Sequence, residues 1–119
     1  MRILFDHNVD RRFRKHLSGH LILTTRQNGW ETLANGMLLK SAADAGFEAF
    51  ITVDKQLEHE QNLQALPLPV IIIDSASNAL PALLPFARPI LELLTSPLRR
   101  ILYVVQSDGT VQRLTAPRQ

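Results

Sequence analysis

Three short apolar runs in this 119-residue chain each end on an aspartate. Ile3-Leu4-Phe5 runs into Asp6, followed by His7 and Asn8. Ile51-Thr52-Val53 runs into Asp54, and Ile71-Ile72-Ile73 into Asp74 and Ser75. Carboxylates gathered within several ångströms repel one another, so such a group persists most readily around a cation. An all-oxygen donor set suits a hard ion, Mg²⁺ or Mn²⁺. Asp6 and Asp54 are therefore the candidate catalytic pair and, with Asp74, the candidate metal ligands. The competing reading is structural, because aspartate is common where a strand leaves the core and caps turns and helix starts. That reading suits Asp74 best, whereas Asp6 and Asp54 taken together argue for function.

These aspartates meet only if the runs before them are strands of one sheet. Residues 2–5 read as a strand buried on both faces, hence central. Val9, Phe13 and Leu17 then recur four apart with Arg11, Arg12, Arg14 and Lys15 between them, which predicts an amphipathic helix with a basic outer face, ended by Ser18-Gly19. Residues 20–25 alternate as a second strand, and Asn28-Gly29 marks a turn. Asn35 is placed to cap a helix carrying Leu38, Leu39, Ala42 and Ala43 on one stripe, with Gly46 at its left-handed end. Residues 49–53 form a third strand, residues 57–63 a short helix, and residues 70–73 a fully buried fourth strand. Between Leu80 and Leu94 the leucines keep helical spacing, but Pro85 and Pro89 each delete a backbone donor, so a kinked helix or two short ones are expected. Residues 101–106 and 111–114 flank Asp108-Gly109 and predict a hairpin at the sheet edge.

Strands alternating with helices predict an α/β fold: a central, mainly parallel sheet with helices on both faces and a C-terminal hairpin, in one domain spanning residues 1–119. In such sheets ligands bind beyond the carboxyl ends of the strands, at the point where the strand order reverses. That is the rim the three aspartates occupy.

Composition narrows the chemistry. The apolar fraction is 45%, in the range of one folded core, and the formal charge of +2 announces no partner by itself. There is no cysteine, which removes disulfides, thiol nucleophiles and cysteine-bound zinc and leads us to expect a reducing, cytoplasmic setting. The four histidines fall on different elements without a paired spacing, the five glycines form no phosphate-binding loop, and no nucleophile elbow is present. No run is long enough to suggest a signal peptide or a membrane span. The remaining feature is the basic helix face directly after Asp6. Arginine forks bind phosphate oxygens in pairs, so Arg11 and Arg12 beside a metal rim suit an RNA backbone. A solvated outer face is the plain alternative.

The blocks RILFDHNVDRRFRKHL, GW-x-x-L-x-NG-x-LL-x-x-A, AGFEAFITVDKQLEHEQNL and VIIIDSASNAL come in an order and at intervals that resemble the small PIN-like proteins of the VapC-like superfamily, often toxins of bacterial toxin–antitoxin pairs. The resemblance runs over most of the chain. It implies a PIN-like three-layer sandwich and Mg²⁺- or Mn²⁺-dependent cleavage of RNA, with Asp6 as first ligand, Asn8 beside it and Asp54 as the acidic residue after the third strand. A cognate antitoxin is the implied protein partner. Asn8, Arg11, Arg12, Asn35, Thr52 and Asn78 are the candidate substrate contacts. The chain departs from the pattern at Met37 and Asn35, where relatives carry acids, and at Gln56, where they carry Asp or Asn. Losing a carboxylate weakens the hold on a hard cation, so a domain that binds RNA or an antitoxin without cutting is the alternative. A phosphoacceptor domain using Asp54 is a third reading, disfavoured because a second acid after the first strand and a lysine after the fifth are missing. The apolar helix near residues 80–94 and the hairpin are candidate homodimer surfaces.

Overall fold

The computed structural model describes all 119 residues. Six strands form one sheet: β1 (Arg2–Phe5), β2 (Leu21–Thr24), β3 (Ala49–Thr52), β4 (Val70–Ile73), β5 (Leu102–Val105) and β6 (Val111–Leu114), in the order β2-β1-β3-β4-β5-β6. The first five are mutually parallel and β6 closes the hairpin antiparallel to β5. Glycine is required at the hairpin turn, where Gly109 has φ +94°.

Successive strand residues point to opposite faces, and both faces are apolar. Ile3, Phe5, Ile51, Ile71 and Ile73 pack under Val9, Phe13, Leu83, Phe86 and Ile90 on one side. Leu4, Phe50, Val70 and Ile72 pack under Leu38, Leu39, Ala42 and Leu57 on the other. The second layer is built by α1 (Asn35–Asp44) and α2 (Leu57–Glu60), the first by a 3₁₀ helix (Arg11–His16), α3 (Leu80–Leu83) and α4 (Ala87–Leu93). The result is a three-layer α/β domain, as expected. No helix is long and apolar enough to cross a membrane.

Several elements differ in detail from the expectation. The basic segment winds as a 3₁₀ helix, with Phe13 N–H donating to Asp10 and Leu17 N–H to Arg14. Its three apolar anchors are all buried, Phe13 within the six helical residues and Val9 and Leu17 flanking them. Asn35 is not the cap of α1: Ala34 holds the extended capping position, no side chain caps it, and Asn35 is the first helical residue. At the other end Gly46 takes φ +88°, the predicted left-handed exit. The third strand stops at Thr52 rather than Val53, and α2 ends at Glu60 rather than Leu63. The proline segment breaks into α3, a 3₁₀ turn (Leu84–Phe86) and α4, as the missing donors at Pro85 and Pro89 require. Its apolar face is used within the fold, since Leu83, Phe86, Ile90, Leu93 and Leu94 are all buried in the core.

The strand order reverses between β1 and β3. The chain leaves β1 toward β2 on one side, whereas the connection after β3 leads toward β4 on the other. A crevice opens at such a point because neighbouring loops diverge. The two loops concerned begin at Asp6 and Val53.

Candidate functional site

Asp6 extends β1 by one rung, its N–H donating to the Ile51 carbonyl at 2.9 Å. Its side chain is only 3% exposed, which no carboxylate tolerates without hydrogen bonds. One oxygen, Oδ1, accepts the His7 backbone N–H at 2.8 Å and lies 3.0 Å from His7 Nδ1. The other, Oδ2, accepts the Thr52 hydroxyl at 2.8 Å. Thr52 is fully buried on the neighbouring strand, and its Oγ1 in turn accepts the Asp54 N–H at 3.0 Å and the Asn8 amide at 3.3 Å. Asn8 Oδ1 accepts the Val53 N–H at 3.3 Å. A single hydroxyl thus ties the turn after β1 to the turn after β3.

Asp54 sits just past this hub. Its Oδ1 accepts the Gln56 N–H at 3.0 Å, which tightens the entry into α2. Neither Asp6 nor Asp54 has a lysine or arginine partner. On the other side of Asp6, one residue past the pairing of Phe5 with Thr24, Thr25 buries a hydroxyl with no partner at all. An orphaned buried hydroxyl costs about 1–3 kcal/mol.

Asp74 is placed differently. Lys55 Nζ approaches its Oδ1 at 2.9 Å, and this ammonium holds the Asp74 carboxyl below the usual carboxylate range. Next to it, Glu58 of α2 is buried and gripped by Arg118: the Arg118 backbone N–H donates at 2.8 Å and its Nη2 at 2.6 Å. That guanidinium lowers the Glu58 pKa against the opposing effect of burial. Gln112 of β6 receives a second nitrogen of the same arginine.

The remaining expected contacts separate into groups. Asn8 and Thr52 belong to the Asp6 network. Arg12 is folded back on Asp10, Nη2 to Oδ2 at 2.7 Å and Nε to Oδ1 at 3.1 Å, which drops the Asp10 pKa to about 2. Arg11 has no such partner and lines a cleft of about 380 Å³ with Arg14 and Arg26. Asn35 begins α1 and is half-buried, its neighbour Met37 is 55% exposed, and Asn78 is exposed in the turn before α3. None of the three joins the network. Lys55, Glu58 and Arg26 were not singled out from the sequence. Arg26 follows directly on the second strand, so the strand-end rule applied to cations would have found it; nothing in the pattern marks Glu58.

No group of three or more carboxylate or imidazole side chains is arranged to hold a metal ion. The oxygen donors at this rim are Asp6 and Asp54, neither with a lysine or arginine partner, and the amide oxygen of Asn8. Their chemistry is that of hard oxygen donors, and Mg²⁺ is commonly held by one or two carboxylates while keeping several waters. Compared with known proteins, the chain matches no family model, no curated protein and no solved structure.

Proposed function

We propose that the chain is a PIN-like, metal-assisted ribonuclease of the kind that serves as the toxin of a toxin–antitoxin pair. One observation carries the reading: where the strand order reverses, the Thr52 hydroxyl donates to the Asp6 carboxylate and accepts the backbone N–H of Asp54, which brings two rim aspartates without a lysine or arginine partner onto adjoining turns. Asp6, Asp54 and Asn8 would hold Mg²⁺ or Mn²⁺. Bound there, the ion supplies Lewis acidity toward a phosphoryl oxygen. Thr52 fixes the Asp6 carboxylate from one side while the His7 backbone fixes it from the other, so its direction is set before substrate arrives. Arg11, free of any carboxylate and close after Asp6 in the chain, steers the RNA backbone toward the carboxylates.

The test is cleavage of a mixed-sequence single-stranded RNA with Mn²⁺, with Mg²⁺ and with chelator, alongside Asp6→Asn and Asp54→Asn. Metal-dependent cutting that disappears in both variants is expected. Cutting that survives chelator or both substitutions overturns the reading. A second reading is favoured by the Lys55–Asp74 pair, which withdraws a third carboxylate from the rim. In it the domain binds RNA or a cognate antitoxin without cutting. Folded protein that binds RNA in chelator and never cleaves it selects that reading.

A further inference from the structure

The arginine cleft lies to one side of the carboxylates, between the 3₁₀ helix and the loop joining β2 to α1. Arg11 and Arg14 reach it from the helix, while Arg26, Gln27 and Glu31 reach it from the loop. Arg11 and Arg14 have no carboxylate partner, and Arg26 touches Glu31 only loosely, Nε to Oε2 at 3.5 Å. Three arginines therefore line one concavity, and the Asp10 carboxylate on the same wall is already held by Arg12. The neighbouring Arg12 does not contribute, being held on Asp10.

The loop wall is built rather than slack. Gln27 Oε1 accepts the Thr24 N–H at 2.8 Å while Thr24 Oγ1 accepts the Gln27 N–H at 3.1 Å. Asn28 donates its side-chain amide to the Thr24 carbonyl at 3.0 Å. Trp30 N–H returns to the Thr25 carbonyl at 2.9 Å, and its ring meets Phe47 edge-on at 6.1 Å. Arg26 and Glu31 are thus carried on a loop whose backbone is held before any ligand binds.

We infer that this cleft is a one-nucleotide subsite for single-stranded RNA, with Arg11 and Arg14 on the phosphate and the Arg26–Glu31 wall on the base. The inference deepens the ribonuclease reading and rests on it for the identity of the strand. The cleft volume, about 380 Å³, is near the lower end of small-ligand pockets. A cleft of that size suits one nucleotide. A flat guanidinium offers a stacking plane for an unpaired base. Glu31 can accept only, and a carboxylate accepts two parallel N–H groups side by side. Guanine presents that pair on its Watson–Crick edge, a ring N–H beside an exocyclic amine. Adenine does not.

Binding of guanosine 5′-monophosphate, adenosine 5′-monophosphate and inorganic phosphate, measured calorimetrically at low salt in chelator, tests this without requiring cleavage. The guanosine nucleotide is expected to bind about tenfold or more tighter than phosphate, and tighter than the adenosine nucleotide. Arg11→Gln with Arg14→Gln should weaken all three ligands by about tenfold or more. Glu31→Gln should erase the guanosine preference and leave phosphate binding intact. These side chains are exposed, so the variants are expected to fold, and far-UV circular dichroism checks it. A guanosine nucleotide that binds no tighter than phosphate, or an arginine double variant that binds like the unaltered chain, overturns the inference. Nucleotide binding with no cleavage under any metal condition keeps the subsite and removes the ribonuclease reading. Cleavage whose KM ignores the cleft variants does the reverse.

Discussion

The two halves of the same sheet rim treat charge in opposite ways. Around Asp74, at the end of β4, facing charges are matched: Asp74 with Lys55, and Glu58 nearby with Arg118. Around Asp6, where β1 and β3 end, the charges are largely unmatched: Asp6 and Asp54 are held by neutral hydrogen bonds and His7, and Arg11 and Arg14 have no partners, although Arg12 is paired with Asp10 and Arg26 loosely with Glu31. β1, β3 and β4, the strands that carry Asp6, Asp54 and Asp74, are apolar and buried alike, so their packing does not impose the difference. A matched pair contributes to folding and offers little to a ligand, whereas unmatched groups of both signs side by side leave a field for a cation and a phosphate.

The sharpest way to break the contrast is to remove charge from the open half. Asp6→Asn retains the shape of the side chain: its oxygen can keep the His7 N–H while its amide donates to Thr52 Oγ1, whose own proton can turn to Asn8 Oδ1 at 3.4 Å, so the domain should remain folded. Metal-dependent RNA cleavage should drop by about a hundredfold or more, equivalent to at least about 2.7 kcal/mol of transition-state stabilisation. Single-turnover rates at saturating Mn²⁺ measure it. An equal fall in thermal stability would place Asp6 with the matched half instead.

Breaking the closed half should act on folding. Arg118→Ala leaves Glu58 as a buried carboxylate without its cation, expected to cost about 2–3 kcal/mol, less than a fully enclosed pair because the Arg118 side chain is 43% exposed. Urea denaturation at pH 7 reads this as a lower midpoint. The Glu58 pKa is depressed in the folded chain, so the pair's contribution is complete above the ordinary value near 4.5 and fades as the pH falls through the folded value. The difference between Arg118→Ala and the unaltered chain should therefore shrink below about pH 4. Glu58→Gln combined with Arg118→Met should recover much of the loss, because no lone charge then remains.

Lys55→Met converts one half toward the other. Asp74 loses its ammonium, its pKa should rise toward the ordinary carboxylate value, and a third carboxylate becomes available beside Asp54. The expected stability change is under about 1 kcal/mol, since Lys55 is 51% exposed. Mn²⁺ affinity should increase by a few-fold, measured by titration against Asp54→Asn as the control. No gain in affinity would show that Asp74 lies outside the site whatever its charge.

The legibility of these features follows from their range. Strands and helices were readable because period and burial are local: three isoleucines before Asp74 leave little alternative to a buried strand, and Gly46 marked its left-handed turn. That Asp6 and Asp54 lie just past strand ends was readable because the apolar runs before them stop there. The 3₁₀ winding was not, because Val9, Phe13 and Leu17 are spaced as in an α-helix. Pairing of Lys55 with Asp74 depends on β3 lying next to β4 and on side-chain direction, and Arg118 reaches Glu58 across 60 residues. Long-range contacts of that kind leave no periodic trace.

The smallest effect expected separates adjacent arginines. Arg11 and Arg12 look equivalent in the sequence, both on the basic face expected to meet RNA. In the fold Arg12 makes three side-chain hydrogen bonds to Asp10, whose carboxylate also accepts the Arg12 backbone N–H at 2.9 Å and starts the 3₁₀ helix. Its charge is thus cancelled locally, and Arg12→Gln should change RNA affinity by less than about twofold, within the range of an exposed pair. Arg11→Gln removes an uncancelled charge from the cleft and should weaken binding and flatten its salt dependence by about one phosphate contact. Salt titrations of both variants in chelator measure the difference. Equal slopes would mean that RNA strips Arg12 from Asp10, and the open half of the rim would then extend over the whole helix.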